Sequence, residues 1–257
     1  MNLDREKAGK AFEAFLASYD LNNKDIRMKA VHTMKVAENC EEIAAAEGLD
    51  RDLAWLTGLL HDIGRFPQLA EFNTFWDLAS MDHAEAGAEM LFGDRRMIGL
   101  FTEEEDAWPL IQDAVRWHSA HRLPDHLGRE NRLYAELLRD ADKLDIFRVF
   151  GDRPPYEIYR CSEEDFLAGV ICDPVMEVIR GQSSVSHQLK KGPLDRYAGI
   201  MSLVFELSYP HSRKMAGEQG FYKRLFEVPF TDPVTAGRIR EIRILAENFL
   251  RISLEIS

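Results

Sequence analysis

One predicted helix constrains this fold more than any other part of the chain. It covers residues 51–63 and is apolar on nearly every side between Leu53 and Leu60. A helix without a polar face belongs in a protein interior, so other helices must surround it. The helix ends in His61 and Asp62, and Gly64 is expected to stop it. Imidazole and carboxylate both bind divalent metals, so this helix end should present metal ligands to a buried cavity.

The rest of the sequence before residue 150 supplies the surrounding helices. Asp25 is expected to cap a helix of residues 26–47, Gly48 to end it, and Val31 to lie on its buried face. Residues 67–81 are expected to form a loop with a short helix. The other predicted helices cover residues 4–18, the segment after Asp82, the segment after the acidic run 103–106, and residues 131–147.

The pattern changes after Phe150, where a Gly-Asp-Arg-Pro-Pro segment interrupts it. Helical patterns continue to residue 254, but no cluster of histidine and aspartate accompanies them. We therefore expect an N-terminal helix in residues 1–24, a metal-binding core in residues 25–150 and a C-terminal helical extension packed on it in residues 151–257. Strand signals are scarce, so the expected fold class is all-α, a helical bundle with additional C-terminal helices.

The composition narrows the classes of protein to which the chain can belong. A net charge of −12 and a pI near 5.2 disfavour a nucleic-acid binder, which needs a basic face. A small phosphorylated substrate is compatible, since a few local cations suffice to bind it. The three cysteines are too few for a disulfide scaffold. We find no apolar signal segment and no segment long and apolar enough to span a membrane, so we expect a cytoplasmic protein without a membrane partner. The sequence leaves a homo-oligomer open.

Four histidines lie on four different predicted helices, each beside small or apolar residues: His32, His61, His83 and His118. A single histidine on a helix is usually exposed or hydrogen-bonded. Four that face one core all need partners, because an unpaired buried polar group is costly. A metal centre between facing helices satisfies several of them at once, and helical bundles build such centres.

Two aspartates can complete this centre. Asp62 could bridge two metals with one oxygen to each, and Asp142 would close the site from the last helix of the core. The sequence does not decide the role of Asp142. The alternatives are an ion pair of Asp142 with Arg139 or Lys143, and Asp140 or Asp145 as the ligand in its place.

These residues resemble the signature of the HD-domain superfamily of metal-dependent phosphohydrolases. That signature is a histidine, a His-Asp pair and a distant aspartate on separate helices, which here match His32, His61-Asp62 and Asp142. The flanking segments VHTMKVAENC, LAWLTGLLHDIGRF and LLRDADKLDIF are also similar to the family. The resemblance covers about residues 25–150 and implies a helical metal-binding domain.

The resemblance extends to members that bind two metals. Those members carry additional histidines, which His83 in MDHAEAGAEML and His118 in AVRWHSAH match. His121 ranks lower, as a further ligand or as a neighbour of the ligands. The segment WHSAHRLPDHLG lacks the adjacent histidine pair and the Gly-Tyr-Pro element of the branch that cleaves cyclic dinucleotides, which disfavours cyclic-di-GMP as the substrate.

The implied activity is hydrolysis of a phosphate ester or anhydride by metal-activated water, as a phosphomonoesterase or phosphodiesterase. The expected substrate is a small phosphorylated compound, and a nucleotide is favoured. Mixed nitrogen and oxygen ligands suit one or two ions of Mn, Fe, Co, Ni or Zn better than Mg. Asp62, Arg65 and Lys143 are the expected catalytic residues. The substrate phosphate is expected to contact Arg65, Lys143 and Arg122, of which Arg122 is the weakest candidate because a solvated surface charge explains it better.

Two other functions are compatible with the same helices. A dinuclear iron oxygenase would use the same ligands for oxidation, because some relatives of this fold do so. A non-catalytic module that senses a ligand would keep the scaffold without the chemistry. The complete set of ligands in this sequence favours the enzyme, since a degenerate module would be expected to lose the His-Asp pair.

Overall fold

The computed structural model describes residues 3–255, and every regular element within them is helical. The absence of strands from these residues confirms the predicted all-α fold. The chain divides into two compact units, Met1–Asp142 and Lys143–Ser257. The domain boundaries predicted at residues 24 and 150 stay predictions. No helix in the described part of the chain is long and apolar enough to cross a membrane.

The first unit contains the helices that carry the candidate ligands. They are α1 (Arg5–Leu16), α2 (Lys24–Glu47), α3 (Arg51–Leu60), α4 (Arg65–Phe72), α5 (His83–Phe92), α6 (Ile98–Phe101), α7 (Trp108–Trp117) and the first part of α8 (Arg129–Asp152). Turns and short 3₁₀ segments connect them. The helices predicted around the His-Asp pair are therefore present.

The ends of α2 follow ordinary capping rules, with one difference from the prediction. Asn23, and not Asp25, caps the helix, because the Asn23 side-chain oxygen accepts a hydrogen bond from the backbone N–H of Asp25. Both residue types cap helices well, so the sequence alone did not separate them. The helix ends at Glu47 as predicted, where Gly48 adopts the left-handed conformation with φ of 71°.

The buried face of α2 differs from the predicted one. Val31 is 47% exposed, so its predicted place in the core is wrong. His32, Val36 and Cys40 are buried instead, and their spacing of four residues places them on one face of the helix. His32 therefore points inward because it shares a face with the apolar residues that anchor α2 to the core.

The helix that carries the His-Asp pair ends earlier than predicted. α3 stops at Leu60 and residues 61–64 form a turn. α4 begins directly afterwards at Arg65 and ends at Phe72, so the short helix expected within residues 67–81 is present and starts two residues before that segment. Apolar residues on one side of this short segment pack into the core, with Phe66 and Leu69 both buried.

Gly64 has a different role from the predicted helix stop. Its φ is −72°, which any residue can adopt. A Cβ at this position would overlap the backbone of α5 at the His83 carbonyl oxygen and lie 2.7 Å from the Gly87 nitrogen. Glycine is required here because the turn after α3 approaches α5 closely.

The start of α5 and the end of α7 bring two more histidines together. Asp82 caps α5 as predicted, its carboxylate accepting from the backbone N–H groups of the next turn. The acidic run precedes α7 as predicted, although Glu105–Ala107 first form a 3₁₀ turn. Because α5 packs against α7, His83 at the start of one and His118 just after the other lie in the same region.

The second unit contains the rest of α8 and the helices that follow it. They are α9 (Pro155–Ile158), α10 (Glu163–Leu167), α11 (Asp173–Arg180), α12 (Pro193–Ser202), α13 (Pro210–Glu218), α14 (Phe221–Arg224) and α15 (Pro233–Glu255). Tyr197 is fully buried, and its ring contacts Phe166 and Phe230 with centroids 5.6 and 6.3 Å away. An aromatic core thus holds this unit together.

Gly58→Ala should destabilise the first unit through the contact between α2 and α3. A Cβ at residue 58 would lie 2.7 Å from the Cα of Ala37 and 2.9 Å from the Sγ of Cys40, so the backbone must shift. We expect the free energy of unfolding in urea to fall by about 1–3 kcal/mol. Gly9→Ala in α1 is the matched control, because a methyl group there meets nothing within 4 Å. It should stabilise by up to about 1 kcal/mol, and equal effects would contradict the tight helix contact.

Candidate metal centre

His61 is fully buried where α3 ends, and its orientation is set by its own helix. Its Nδ1 lies 2.7 Å from the carbonyl oxygen of Gly58. A carbonyl only accepts hydrogen bonds, so Nδ1 carries the proton and Nε2 of the neutral ring carries a lone pair. Nε2 is buried and has no hydrogen-bond partner among residues 3–255. A buried lone pair without a partner is costly, which marks this atom as a candidate ligand.

A first group of donor atoms surrounds His61 Nε2. Oδ2 of Asp62 lies 3.3 Å from it and 3.6 Å from Nε2 of His32. Oδ1 of Asp142 lies 3.1 Å from His32 Nε2 and 3.9 Å from His61 Nε2. His32, His61 and Asp62 could together hold a metal ion, and Asp142 adds a fourth donor from α8.

A second group of donor atoms lies on the other side of Asp62. Oδ1 of Asp62 is 3.4 Å from Nε2 of His83 and 3.6 Å from Nε2 of His118. The two Nε2 atoms are 3.1 Å apart, and both side chains are buried. Asp62, His83 and His118 could hold a second ion. The two oxygens of one carboxylate therefore face two different pairs of imidazoles.

The second pair of imidazoles presents two lone pairs to each other. His118 Nδ1 lies 2.7 Å from the carbonyl oxygen of Val115, so it carries the proton of the neutral ring. His83 Nδ1 lies 2.7 Å from Oδ2 of Asp77 and is fixed in the same way. In these neutral forms both Nε2 atoms carry lone pairs that repel each other, unless a cation lies between them.

The donor atoms fit transition-metal ions in kind and in spacing. Ligands bound about 2.1 Å from one ion lie about 3.0–3.4 Å apart, close to most of the separations within each group. Four imidazoles with two carboxylates suit Mn, Fe, Co, Ni or Zn, and hard Mg sites rarely contain so much nitrogen. The residues present therefore fit one or two divalent ions.

The electrostatics of the site favour neutral imidazoles at His61 and His83 and charged carboxylates at Asp62 and Asp142, the forms that metal binding requires. Burial lowers the pKa of His61, and burial lowers that of His83 to about 4. Burial alone would raise the pKa of Asp62, but the Lys29 ammonium and the His61 imidazole outweigh it and hold the pKa well below its usual value. Burial alone would also raise the pKa of Asp142, but the His32 imidazole, whose Nε2 lies 3.1 Å from Oδ1, outweighs it and lowers the pKa.

Lys29 is a residue of the site that sequence reasoning missed. Its Nζ forms an ion pair with Asp62 Oδ2, and the side chain is only 14% exposed. The ammonium also lies 5.7 Å from the centre of the Phe75 ring, within the range of a cation–π contact. Lys29 precedes His32 by three residues, so helical spacing places both on one face of α2. This three-residue spacing was the feature of the sequence that could have placed Lys29 beside the candidate ligands.

Asp77 is a second residue that sequence reasoning missed. It lies in the connection between α4 and α5, defined here as residues 73–82. One oxygen accepts from His83, and the other accepts from Arg65 and Gln68. Burial would raise the pKa of Asp77, but these partners lower it to about 2. The connection 73–82 has no clear helical or strand periodicity, so nothing in its sequence indicated the contact between Asp77 and His83.

The predicted substrate-binding cations fall in different surroundings. Arg65 donates through NH1 to the carbonyl oxygen of Phe75, at 2.8 Å, and to Asp77, at 2.6 Å, while its Nε lies 3.7 Å from Asp62 Oδ1. Lys143 belongs to the second unit, where its Nζ lies 3.4 Å from a carboxylate oxygen of Glu206. Arg122 is exposed in the loop before α8. All three roles remain predictions.

Two further predictions concern side chains near the ligands. His121 is exposed and belongs to neither donor group among the residues described. Asp145, a competitor of Asp142 for the ligand role, pairs with Arg148 at 2.6 and 2.9 Å. Asp142 is the aspartate of α8 that lies beside His32.

Comparison with known families agrees with this geometry. An HD domain is matched over residues 30–146, which include all six candidate ligands. Residues 30–146 therefore form an HD domain. HD domains bind divalent metals and generally belong to metal-dependent hydrolases, and the two donor groups are among the side chains of this domain that could hold such ions. No curated protein and no solved structure matches the chain.

The metal-free HD domain should lose stability as the pH falls from 7 to 4. The pKa of His83 is about 4 in the folded protein against 6.5 ordinarily, so the unfolded chain binds the proton first. The stabilisation is present above about pH 6.5 and is lost as the pH falls through the folded pKa. His83 alone should cost about 2 kcal/mol between pH 7 and 5.

Urea unfolding of chelator-treated protein at several pH values measures this loss. His83→Gln should flatten the pH dependence, whatever its effect on stability at pH 7. His126→Gln is the matched control, because His126 is exposed. An unchanged pH dependence in His83→Gln would show that His83 is not held in its neutral form.

Proposed function

We propose that this HD domain is a metal-dependent phosphohydrolase that holds two divalent ions and acts on a small phosphorylated compound. The main support is the position of Asp62, whose Oδ1 faces His83 and His118 while its Oδ2 faces His32 and His61. A carboxylate between two pairs of imidazoles is the arrangement that a bridging ligand needs. His32, His61 and Asp142 would hold one ion, and His83 and His118 the other.

The bound ions would supply a water of lowered pKa and polarise the phosphoryl oxygens. The residues of the chain prepare the site for this chemistry. The backbone carbonyls of Gly58 and Val115 hold His61 and His118 with Nε2 free of protons. Burial lowers the pKa of His61 and of His83, so their Nε2 atoms stay available to ions near pH 7.

Lys29 is the cation that we propose to bind the substrate phosphate. Its ammonium contacts Asp62, so it lies directly beside the carboxylate that both donor groups share. The guanidinium of Arg65 is adjacent, and its buried Nε has no hydrogen-bond partner in the described residues. Arg65 would act with Lys29 through this Nε, since its NH1 already binds the connection 73–82. Lys143 and Arg122 are weaker candidates in this proposal.

A nucleotide is the first substrate class to test. A chain with net charge −12 repels polyanions at long range, which disfavours RNA or DNA. A mononucleotide carries few charges and could be bound by one or two local cations. We expect either phosphomonoester or phosphodiester hydrolysis.

Asp62→Asn should remove metal from both donor groups and abolish hydrolysis. An amide keeps the shape of the side chain but loses the negative charge and one ligating oxygen. Elemental analysis of the wild-type chain should find about two metal ions, and that of the variant far fewer. Hydrolysis should be assayed on generic phosphomonoesters and phosphodiesters and a panel of nucleotides, each with Mn, Co, Ni, Fe or Zn. Asp125→Asn, in an exposed loop, is the control.

The metal content and the reaction separate the proposed function from its alternatives. Stoichiometric metal retained in Asp62→Asn would argue against the shared carboxylate. Two irons with oxygen consumption and no hydrolysis would identify an iron oxygenase. A wild-type chain that takes up no metal on titration would make the histidines structural and leave a ligand-sensing module.

Lys29→Gln should reduce kcat/KM by about 100-fold or more while metal content stays near that of the wild type. Removing one preorganised donor from a developing charge typically has an effect of this size. Lys35→Gln is a matched control on the same helix, since Lys35 is half-exposed and pairs with Glu38 on the surface. Steady-state kinetics of the two variants would exclude a phosphate-binding role if both retained full activity.

A further inference from the structure

His83 differs from the neighbouring candidate ligands in its place on a helix. His61 and His118 each follow the last residue of a helix. Their Nδ1 atoms reach carbonyl oxygens three residues earlier, at Gly58 and Val115. Carbonyls in the last turn of a helix lack helical N–H partners, so they are free to accept these bonds. The end of the helix itself therefore fixes the tautomer of His61 and of His118.

His83 cannot be fixed in this way because it is the first residue of α5. No turn of its own helix precedes it to offer a carbonyl. Its Nδ1 binds Oδ2 of Asp77 at 2.7 Å instead. An ionised carboxylate can only accept, so the bond places the proton on Nδ1 and the lone pair on Nε2, which faces Asp62 and His118.

Asp77 is itself held in place by α4. Its Oδ1 accepts from Arg65 NH1 at 2.6 Å and from Gln68 Nε2 at 2.8 Å. Gln68 is fully buried and also donates to Ser80 Oγ at 2.8 Å and to the Met81 carbonyl at 3.0 Å. These bonds fix the connection 73–82 at several points, so the Asp77 carboxylate has little freedom to leave His83.

We propose that Asp77 is a positioning residue of the metal centre, which holds His83 in the Nδ1–H tautomer and aims its Nε2 at the second donor group. The metal-binding part of this inference rests on the proposed function, and the tautomer part does not. A carboxylate bonded to a ligating histidine orients the ring and raises its basicity, and loss of such a partner typically lowers metal affinity 10–100-fold.

The first test is calorimetric titration of the full chain with Mn²⁺. Asp77→Asn should weaken one of two binding steps by about 10–100-fold and leave the other near its wild-type affinity. Asp82→Asn is the matched control, because it removes the same charge from the same connection and asparagine caps α5 equally well. Asp82 also lies near Asp77 and His83, so an equal loss in both variants would assign the effect to general charge and overturn the inference.

The second test reads the tautomer directly, in metal-free protein, from the ¹⁵N shifts of the imidazoles. His83 should be in the Nδ1–H form in the wild type and become a mixture of tautomers in Asp77→Asn, while Asp77→Glu should restore part of the wild-type signal. An unchanged tautomer in Asp77→Asn would overturn the inference. Asp77→Ser gives the same readouts if the asparagine variant does not fold.

The two tests separate failure of this inference from failure of the proposed function. If the wild type binds no Mn²⁺, or if Asp62→Asn binds it unchanged, the dinuclear function fails and the tautomer measurement alone decides the role of Asp77. If Asp62→Asn loses metal but Asp77→Asn changes neither affinity nor tautomer, only the role of Asp77 fails.

Discussion

The carboxylate of Asp62 is the group on which the rest of the site depends. It is 2% exposed, and each of its oxygens faces a different pair of imidazoles. An isolated buried carboxylate would be very costly, so the charge must be compensated by the ammonium of Lys29 and by any bound cation. This requirement forces four helices or helix ends to converge on one side chain, and the polar interior of the first unit is arranged around it.

Helix ends and close contacts bring the candidate ligands to that carboxylate. The ends of α3 and α7 supply carbonyls that orient His61 and His118, whereas the start of α5 needs Asp77 for the same purpose. Gly58 lets α3 approach α2, and Gly64 lets the His-Asp turn approach α5. A larger residue at either glycine would separate the donor groups by moving the helices that carry them. The same contacts therefore set the packing of the helices and the spacing of the donor atoms.

The sequence predicted the fold class and indicated the residues of both donor groups as candidate ligands. Helical periodicity and histidines beside apolar residues are local patterns, so they can be recognised without the structure. A histidine on the apolar face of a helix, such as His32, can be recognised from spacing alone. Lys29 could have been recognised by the same spacing, but a lysine on a helix usually indicates a surface. Asp77 could not, since its partner His83 comes near it only when the connection 73–82 folds back onto α4. Gly64 was misread because close approach leaves no local pattern.

The charges of the site also bear on the kind of substrate. The chain as a whole is acidic, with a net charge of −12, and would repel anions at long range. Two divalent ions would carry more positive charge than Asp62 and Asp142 cancel, and Lys29 adds another. The local potential would then oppose that of the whole chain, and buried groups are screened much less by salt than exposed ones. Such a site would attract a phosphate group at short range, while the net negative charge of the chain discourages long polyanions. The positive charge of the site and the negative charge of the chain together favour a small phosphorylated substrate, whatever the shape of the pocket.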